Sequence, residues 1–281
     1  MAEWRRILLD GAVVEAELIG EQLVTRDGRA VDAEEATHLP PCVPTKILAV
    51  HFNYRSRHDE MRRPVEPAPT FFAKLPSSLV GHRGTVIRPR GCEYLNYEGE
   101  IAAVIGRLTR HVGIDEAGDC IAGYTVANDF GLHDYRDTDW GAMVRVKSSD
   151  TMCPLGPGLV TGWRPEGKRI RTLVNGETVQ EATTDEMLWT PGYLVADLSR
   201  TITLHPGDVV LTGTPANSRP VGPGDVVTVE VEGLGSLESR VVEGVTSPAT
   251  SFGAQPSRSA NVLSVALGGD YVPATEGDAE R

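Results

Sequence analysis

Two glutamates stand two residues apart in the stretch LNYEGEIAAVIG, Leu95 to Gly106. Side chains alternate between the faces of a strand. Glu98 and Glu100 would therefore share one side, with Tyr97, Gly99 and Ile101 on the other. Like charges this close repel unless water or a cation lies between them. A third acid, Asp129, ends another apolar run, IAGYTVAND. Strand ends deliver side chains into clefts, and three converging carboxylates make a hard, oxygen-rich site suited to Mg²⁺, Mn²⁺ or Ca²⁺. Mg²⁺ takes about six oxygens, so three protein ligands would leave about three positions for water or substrate, as catalysis requires. Taken alone, the Glu-x-Glu pair is more often a solvated strand face.

Downstream, VKSSDTMCPLGP offers Lys147 and Asp150, after the strand-like run AMVRV and before a turn that fixes the backbone. VVLTGTP places Thr212, Gly213 and Thr214 after an apolar strand. Hydroxyls and backbone N–H groups in such a turn hold anions, although a plain strand-ending turn fits equally well.

The elements that must position these groups read as mainly β. Residues 1–45 form a small β-rich unit with Asp-Gly and Ile-Gly turns, closed by the Pro-rich connector LPPCVPTK. ILAVHFNY then enters a main domain, 46–244, in which turn signals recur between strand-like runs. The charged stretch Arg55 to Pro69 reads as a short helix and loop covering a cleft, or as a solvated surface segment. TTDEMLWTPGYLVADLSR is the clearest helical pattern, with Thr183 or Thr184 as N-cap. PGDVV occurs at 206–210 and 223–227, one turn-and-strand device used twice. Residues 245–281 begin poor in large apolar side chains and read as a flexible tail, with VLSVALGGDYV able to dock.

Composition narrows the function. The chain has 281 residues, a formal net charge of −12 and 40% hydrophobic residues. The negative charge disfavours nucleic acid, and no apolar run reaches the roughly 20 residues of a membrane span. MAEWRRILLDG lacks the apolar core of a secretory leader, and four scattered cysteines, Cys42, Cys92, Cys120 and Cys153, form no CxxC pair. These features predict reduced thiols in a cytoplasmic protein. There is no GxGxxG after a strand and no Walker motif, so nucleotide binding has no support.

FNYRSRHDEM, NYEGE, YTVANDF, KSSDTMCPLGP and HPGDVVLTGTP, in this order over about Leu39 to Gly244, resemble the fumarylacetoacetate hydrolase family, and its bacterial isomerase/decarboxylases in particular. The resemblance implies an α+β, mainly β fold: a mixed β-sandwich roll with a small N-terminal β subdomain, assembled as a homodimer. It implies a divalent metal on Glu98, Glu100 and Asp129, catalysis by Lys147, and substrate contacts from Thr214, Asp150, His133, Asn53 and Tyr54. It also implies a lid around His58 and Glu60. Three departures stand out. His133 occupies a position where many members carry Arg, GTPAN replaces GTPxG, and His58 lies one place later than the usual lid histidine.

The leading expectation is decarboxylation or keto–enol isomerisation of a 2-oxo (di)carboxylic acid, as in aromatic-compound catabolism. The rival enzyme reading is hydrolysis of a C–C bond in an acylpyruvate-type diketone, with His58 and Glu60 activating water. A binding module for oxo acids or metal is the non-enzymatic reading.

Overall fold

The computed structural model describes residues 1–272. The fold is α+β and mainly β. Its larger sheet runs, in spatial order, through strands Ala30–Asp32, Gln22–Thr25, Ala12–Ile19, Ala2–Leu9, Cys153–Thr161, Ile121–Asn128, Gly99–Ile105, Val209–Leu211, Ile47–Val50 and Phe71–Lys74. A second sheet orders Glu177–Thr183, Arg169–Val174, Val226–Val231, Gly235–Glu243 and Thr85–Arg88. Strand Gly99–Ile105 is buried throughout, as befits a central strand covered on both faces. Alternate residues feed two cores. Ala102 and Val104 pack with Ile47, Leu155 and Leu211, whereas Ile101, Ala103 and Ile105 pack with Val126, Val229 and Leu237 of the intersheet side.

Residues 1–45 carry a small cluster of their own, formed by Ile7, Ala16, Leu23 and Ala33. Yet Ala2–Leu9 pairs antiparallel with Cys153–Thr161, so this unit extends the main sheet.

The repeated PGDVV is the same device in both copies. Gly207 and Gly224 adopt positive φ, +87° and +102°, which favours glycine. Asp208 accepts from His205 N and Asp225 from Gly222 N, each at 2.7 Å, and each aspartate opens a strand. Asp208 carries more. Buried, it also accepts from Thr45 N (2.9 Å), Thr45 Oγ1 (2.7 Å) and Lys46 N (3.1 Å) and pairs with Lys46 Nζ. Burial opposes its charge, but these donors outweigh it and hold its pKa below the usual carboxylate range. The resulting stability is present above the unfolded-state pKa and is lost as pH falls through the lowered one. Asp208→Ala should cost about 2–4 kcal/mol, because it orphans several buried donors. Urea unfolding checks this, and a loss below about 0.5 kcal/mol would contradict it.

Three local expectations are corrected. LNYEGEIAAVIG is two strands. Leu95–Asn96 pairs with Gly131–Leu132, the chain leaves the ladder at Tyr97 and Glu98, and it rejoins at Gly99. AMVRV is helical over Val144–Ser148. TTDEMLWTPGYLVADLSR is not one helix. Thr183 caps only a 3-10 turn, Thr184–Glu186, and the α-helix is Pro191–Ser199, capped by Thr190 and opened by Pro191. The cause is Asn53. Its side chain accepts from Trp189 N and donates to Trp189 O, and its carbonyl accepts from Leu188 N, which holds the intervening residues extended.

The segment after 245 is not wholly free. Helix Ala260–Ala266 buries Val262 and Ala266 against Tyr94. Residues 273–281 of the expected tail lie outside the described residues. No helix among the described residues is long and apolar enough to cross a membrane.

Candidate active site

The three acids converge through strand register. Gly99 pairs with Asn128 at the end of the ladder, so the residues just outside it, Glu98 and Asp129, face each other, and Asp129 N donates to Glu98 O at 2.8 Å. Glu100 sits one step inside. Gly99 fixes which side they take. A Cβ there would lie 2.2 Å from Thr172 Oγ1 and 3.0 Å from Val229, so this side of the strand is pressed against the second sheet. Carboxylate oxygens of Glu98, Glu100 and Asp129 all lie within 4.8 Å of one another.

Two lysines answer them. Lys147, on the Val144–Ser148 helix, places Nζ 2.6 Å from Glu98 Oε2, 3.0 Å from Asp129 Oδ2 and 2.8 Å from Asp129 O. Burial opposes its charge, but Asp129 and Glu98 outweigh that and raise its pKa, so the group is an ammonium. Lys74 ends strand Phe71–Lys74 fully buried, 2.5 Å from Asp129 Oδ1 and 3.1 Å from Met152 O. Sequence reading missed Lys74. The available signal was a lysine closing an apolar strand. Asp129 is strongly desolvated, yet Lys147 and Lys74 bring its pKa below the usual value.

Glu100 is different. Burial, then Asp129 and Glu98, push its pKa well above the usual carboxylate value, against Lys147 and the Gly213 N–H. That N–H, 2.7 Å from Glu100 Oε2, comes from the TGT turn, where Gly213 has φ +92°. The anion this turn holds is thus a protein carboxylate. The donor set fits a hard divalent cation: all oxygen, with one member unable to ionise freely without more positive charge. The sign of the pH effect follows. A raised pKa favours the fold below the unfolded value, near 4.5, and that favour is lost as pH rises through the folded value. Mg²⁺ should restore it, so its stabilisation should grow between about pH 5 and about pH 8. Thermal unfolding with and without Mg²⁺ at both pH values checks this. An effect equal at both, or larger at the lower pH, would contradict it.

Around the acids lies a small inner cavity lined by His51, Phe52, Arg57, Glu98, His133, Arg136, Lys147 and Thr214, among others. Beyond it a larger cavity of about 270 Å³ is lined by His51, Phe52, His58, Arg63, Arg136 and Trp189, among others. His133 is fully buried with neither ring nitrogen hydrogen-bonded. Burial first, then Arg136, Lys147 and Arg57, drive its pKa well below the usual value, so it is neutral. Gly131 makes room for it, since a Cβ there would lie 3.1 Å from His133 Nε2 and 3.4 Å from Lys147 Cε. Thr214 Oγ1 accepts from Gln180 Nε2 at 3.1 Å and keeps its own proton to donate.

Other expected residues lie elsewhere. Asp150 is exposed beyond the helix and lines neither cavity. The Asn53 amide is spent on Trp189 N, Trp189 O and Thr212 O, so it ties the site's loops together rather than facing a ligand. Tyr54 is buried in the core, its hydroxyl without a partner and, through burial and then Glu100, its pKa raised.

His58 and Glu60 share the helix Arg55–Glu60 but do not meet, because residues two apart point to different sides. His58 lines the larger cavity, its ring 5.4 Å from that of Phe52. Glu60 is saturated: it pairs with Arg57 (2.6 Å) and Arg219 (2.6 Å) and accepts from Asn217 N (3.1 Å). Arg57 occupies the place where the lid histidine was expected.

Comparison with known proteins fits this arrangement. Residues 46–242 match the fumarylacetoacetate (FAA) hydrolase C-terminal model, and the chain belongs to that family. It is 37% identical over 224 residues to the 4-hydroxyphenylacetate degradation bifunctional isomerase/decarboxylase of Escherichia coli, covering 79% of this chain but 52% of that one. It thus spans about half the length of that relative. It is 35% identical to the mitochondrial oxaloacetate tautomerase of Rattus norvegicus, covering 75% of this chain and 71% of that one. The crystal structure of 5-carboxymethyl-2-hydroxymuconate delta-isomerase from Mycobacterium smegmatis superposes with a TM-score of 0.80 at 34% identity, covering 86% of this chain and 99% of that one.

Proposed function

We propose that this protein converts a 2-oxo acid by decarboxylation, keto–enol isomerisation or both, with Glu98, Glu100 and Asp129 holding a divalent cation, Mg²⁺ or Mn²⁺. The observation that carries the reading is the pairing of this acid cluster with the buried ammonium of Lys147 at the mouth of one cavity. The names of the relatives, an isomerase/decarboxylase, a tautomerase and a delta-isomerase, support it.

The cation would supply Lewis-acid stabilisation of charge at the keto oxygen, worth several kcal/mol. Lys147 adds a fixed positive charge beside the same oxygen and so favours the enolate over the keto form. Thr214 donates its hydroxyl proton to a substrate oxygen. Neutral His133 offers a ring nitrogen as acceptor or donor without adding charge. When a C–C or C–H bond breaks, its electron pair enters the enolate. CO₂ or a proton leaves, and a proton later returns to carbon. His58, facing the larger cavity, is the available proton carrier on helix Arg55–Glu60, which we take to be the cover of the site. Such acid–base help is worth roughly 10²–10⁴-fold. The homodimer implied by the resemblance is part of this reading, and light scattering tests it.

C–C hydrolysis is less favoured because it needs a base that makes water nucleophilic. Glu60 is held by two arginines and a backbone N–H, and it does not adjoin His58. The deciding experiment compares products. With oxaloacetate, CO₂ release or loss of the enol absorbance is expected. With an acylpyruvate, no cleavage to pyruvate is expected. Pyruvate from the acylpyruvate, with no CO₂ or tautomer change from any oxo acid tested, would overturn the assignment. No turnover of either class would leave a binding module.

A further inference from the structure

Arg136 is the arginine common to both cavities. It is half-buried at the start of the Arg136–Asp139 helix, and no carboxylate among the described residues lies within ion-pair distance of it. Its recorded hydrogen bond is a long 3.7 Å contact to Met143 Sδ. Acids are not scarce nearby; they are committed elsewhere. Asp137 accepts from Ser257 and Asn261, Asp139 pairs with Arg145, Glu98 holds Lys147, and Glu60 holds Arg57.

An arginine does not shed its proton, so a partly desolvated guanidinium with no counter-ion is a standing cost that an anion relieves. Its neighbours sharpen this. Burial, then the charges of Arg63 and Arg57, weigh against its proton, with Glu98 in its favour. In the larger cavity Arg63 lies 5.6 Å over the Phe52 ring, and Glu66 is the acid facing these two cations. Arg136 lines the inner cavity with Lys147 and the larger one with Arg63, so a ligand with its head beside Lys147 and its tail turned outward past His51 and Phe52 would have that tail beside Arg136.

We propose that Arg136 binds a second carboxylate at the far end of the substrate, and so makes the site selective for dicarboxylic 2-oxo acids. A planar guanidinium suits bidentate recognition of such a group. The proposal rests on the 2-oxo acid reading above, and the test separates the two.

Two ligands of matched length, 2-oxoadipate and 2-oxohexanoate, differ in the terminal carboxylate alone. Their affinities for the full chain with Mg²⁺ are measured by calorimetry. The wild-type protein should bind 2-oxoadipate about tenfold to a hundredfold more tightly. Arg136→Met should collapse that ratio towards one, and Arg136→Lys should keep part of it. A wild-type ratio near one would overturn the distal subsite while leaving the head-group reading standing, and it needs no variant to fold. An unchanged ratio in Arg136→Met would assign the second carboxylate to another group and also overturn the proposal. Binding of neither ligand would overturn both readings.

Discussion

Stripping divalent cations from the protein is expected to abolish turnover of a 2-oxo acid, and Mg²⁺ or Mn²⁺ is expected to restore it. The argument is electrostatic. Glu100 is buried beside two other carboxylates, and burial with their charges already drives its pKa up. Lys147 and Lys74 do not cancel the cluster. A hard dication would, and it would add twice the charge of Lys147 at the keto oxygen. EDTA treatment followed by dialysis should leave less than about a hundredth of the activity, a loss that matches several kcal/mol of Lewis-acid stabilisation. Glu100→Gln should weaken Mg²⁺ binding at least about tenfold and lower activity with it. It should not unfold the protein, because the amide keeps an oxygen for the Gly213 N–H. Full activity in protein shown by elemental assay to be metal-free would refute this.

Lys147→Met should lower kcat/KM by about 10³-fold with saturating Mg²⁺ present. In the proposed reaction the buried ammonium would sit where negative charge grows as the enolate forms, and preorganised charge of this kind is typically worth 10²–10³-fold or more. The fold should tolerate the change, since Asp129 keeps Lys74 at 2.5 Å. Glu98 Oε2 would then be the orphan, on a side chain that is 12% exposed and so reachable by water. His58→Ala is the contrasting case. A proton carrier that water replaces should cost only about tenfold to a hundredfold. If His58→Ala removed as much activity as Lys147→Met, a nucleophile-activating role would be indicated and the hydrolytic reading revived.

The convergence of the three acids was legible because spacing and strand chemistry constrain each other. Glu-x-Glu can share a face only if the residue between them points away, and the pressure on Gly99 from Thr172 and Val229 is the physical reason it does. Asp129 was legible as the polar end of an apolar strand. What could not be read depended on partners far away in the chain. Asn53 is expected as a substrate contact, but its amide is consumed by Trp189 and Thr212, more than 130 positions on. Lys74 and Arg136 are lone basic residues in sequence, and only burial beside Asp129 for the one and the cavity for the other distinguish them from solvated ones. AMVRV alternates like a strand, yet Asp139 accepts from Arg145 N and from Val146 N at 3.1 Å, anchoring a helix start that no propensity foretells. The long helical pattern failed in the same way, because Asn53 pins residues 188–189 in extended form.

Lys74 has a kinetic meaning as well as a structural one. Two ammonium groups stand against three carboxylates, so the acid cluster by itself offers an anion no net attraction. The head group of a 2-oxo acid arriving first would meet a neutral or negative cluster beside Lys147, whatever its tail gains at Arg136. A dication held there would turn the balance positive and draw the same acid in. Under the proposed function, binding would therefore be ordered, cation before substrate. In the proposed reaction the buried lysine would supply the single positive excess that one anionic head group discharges, so that a product keeping its head carboxylate but losing the carboxylate β to the keto group as CO₂ would be held by the head alone.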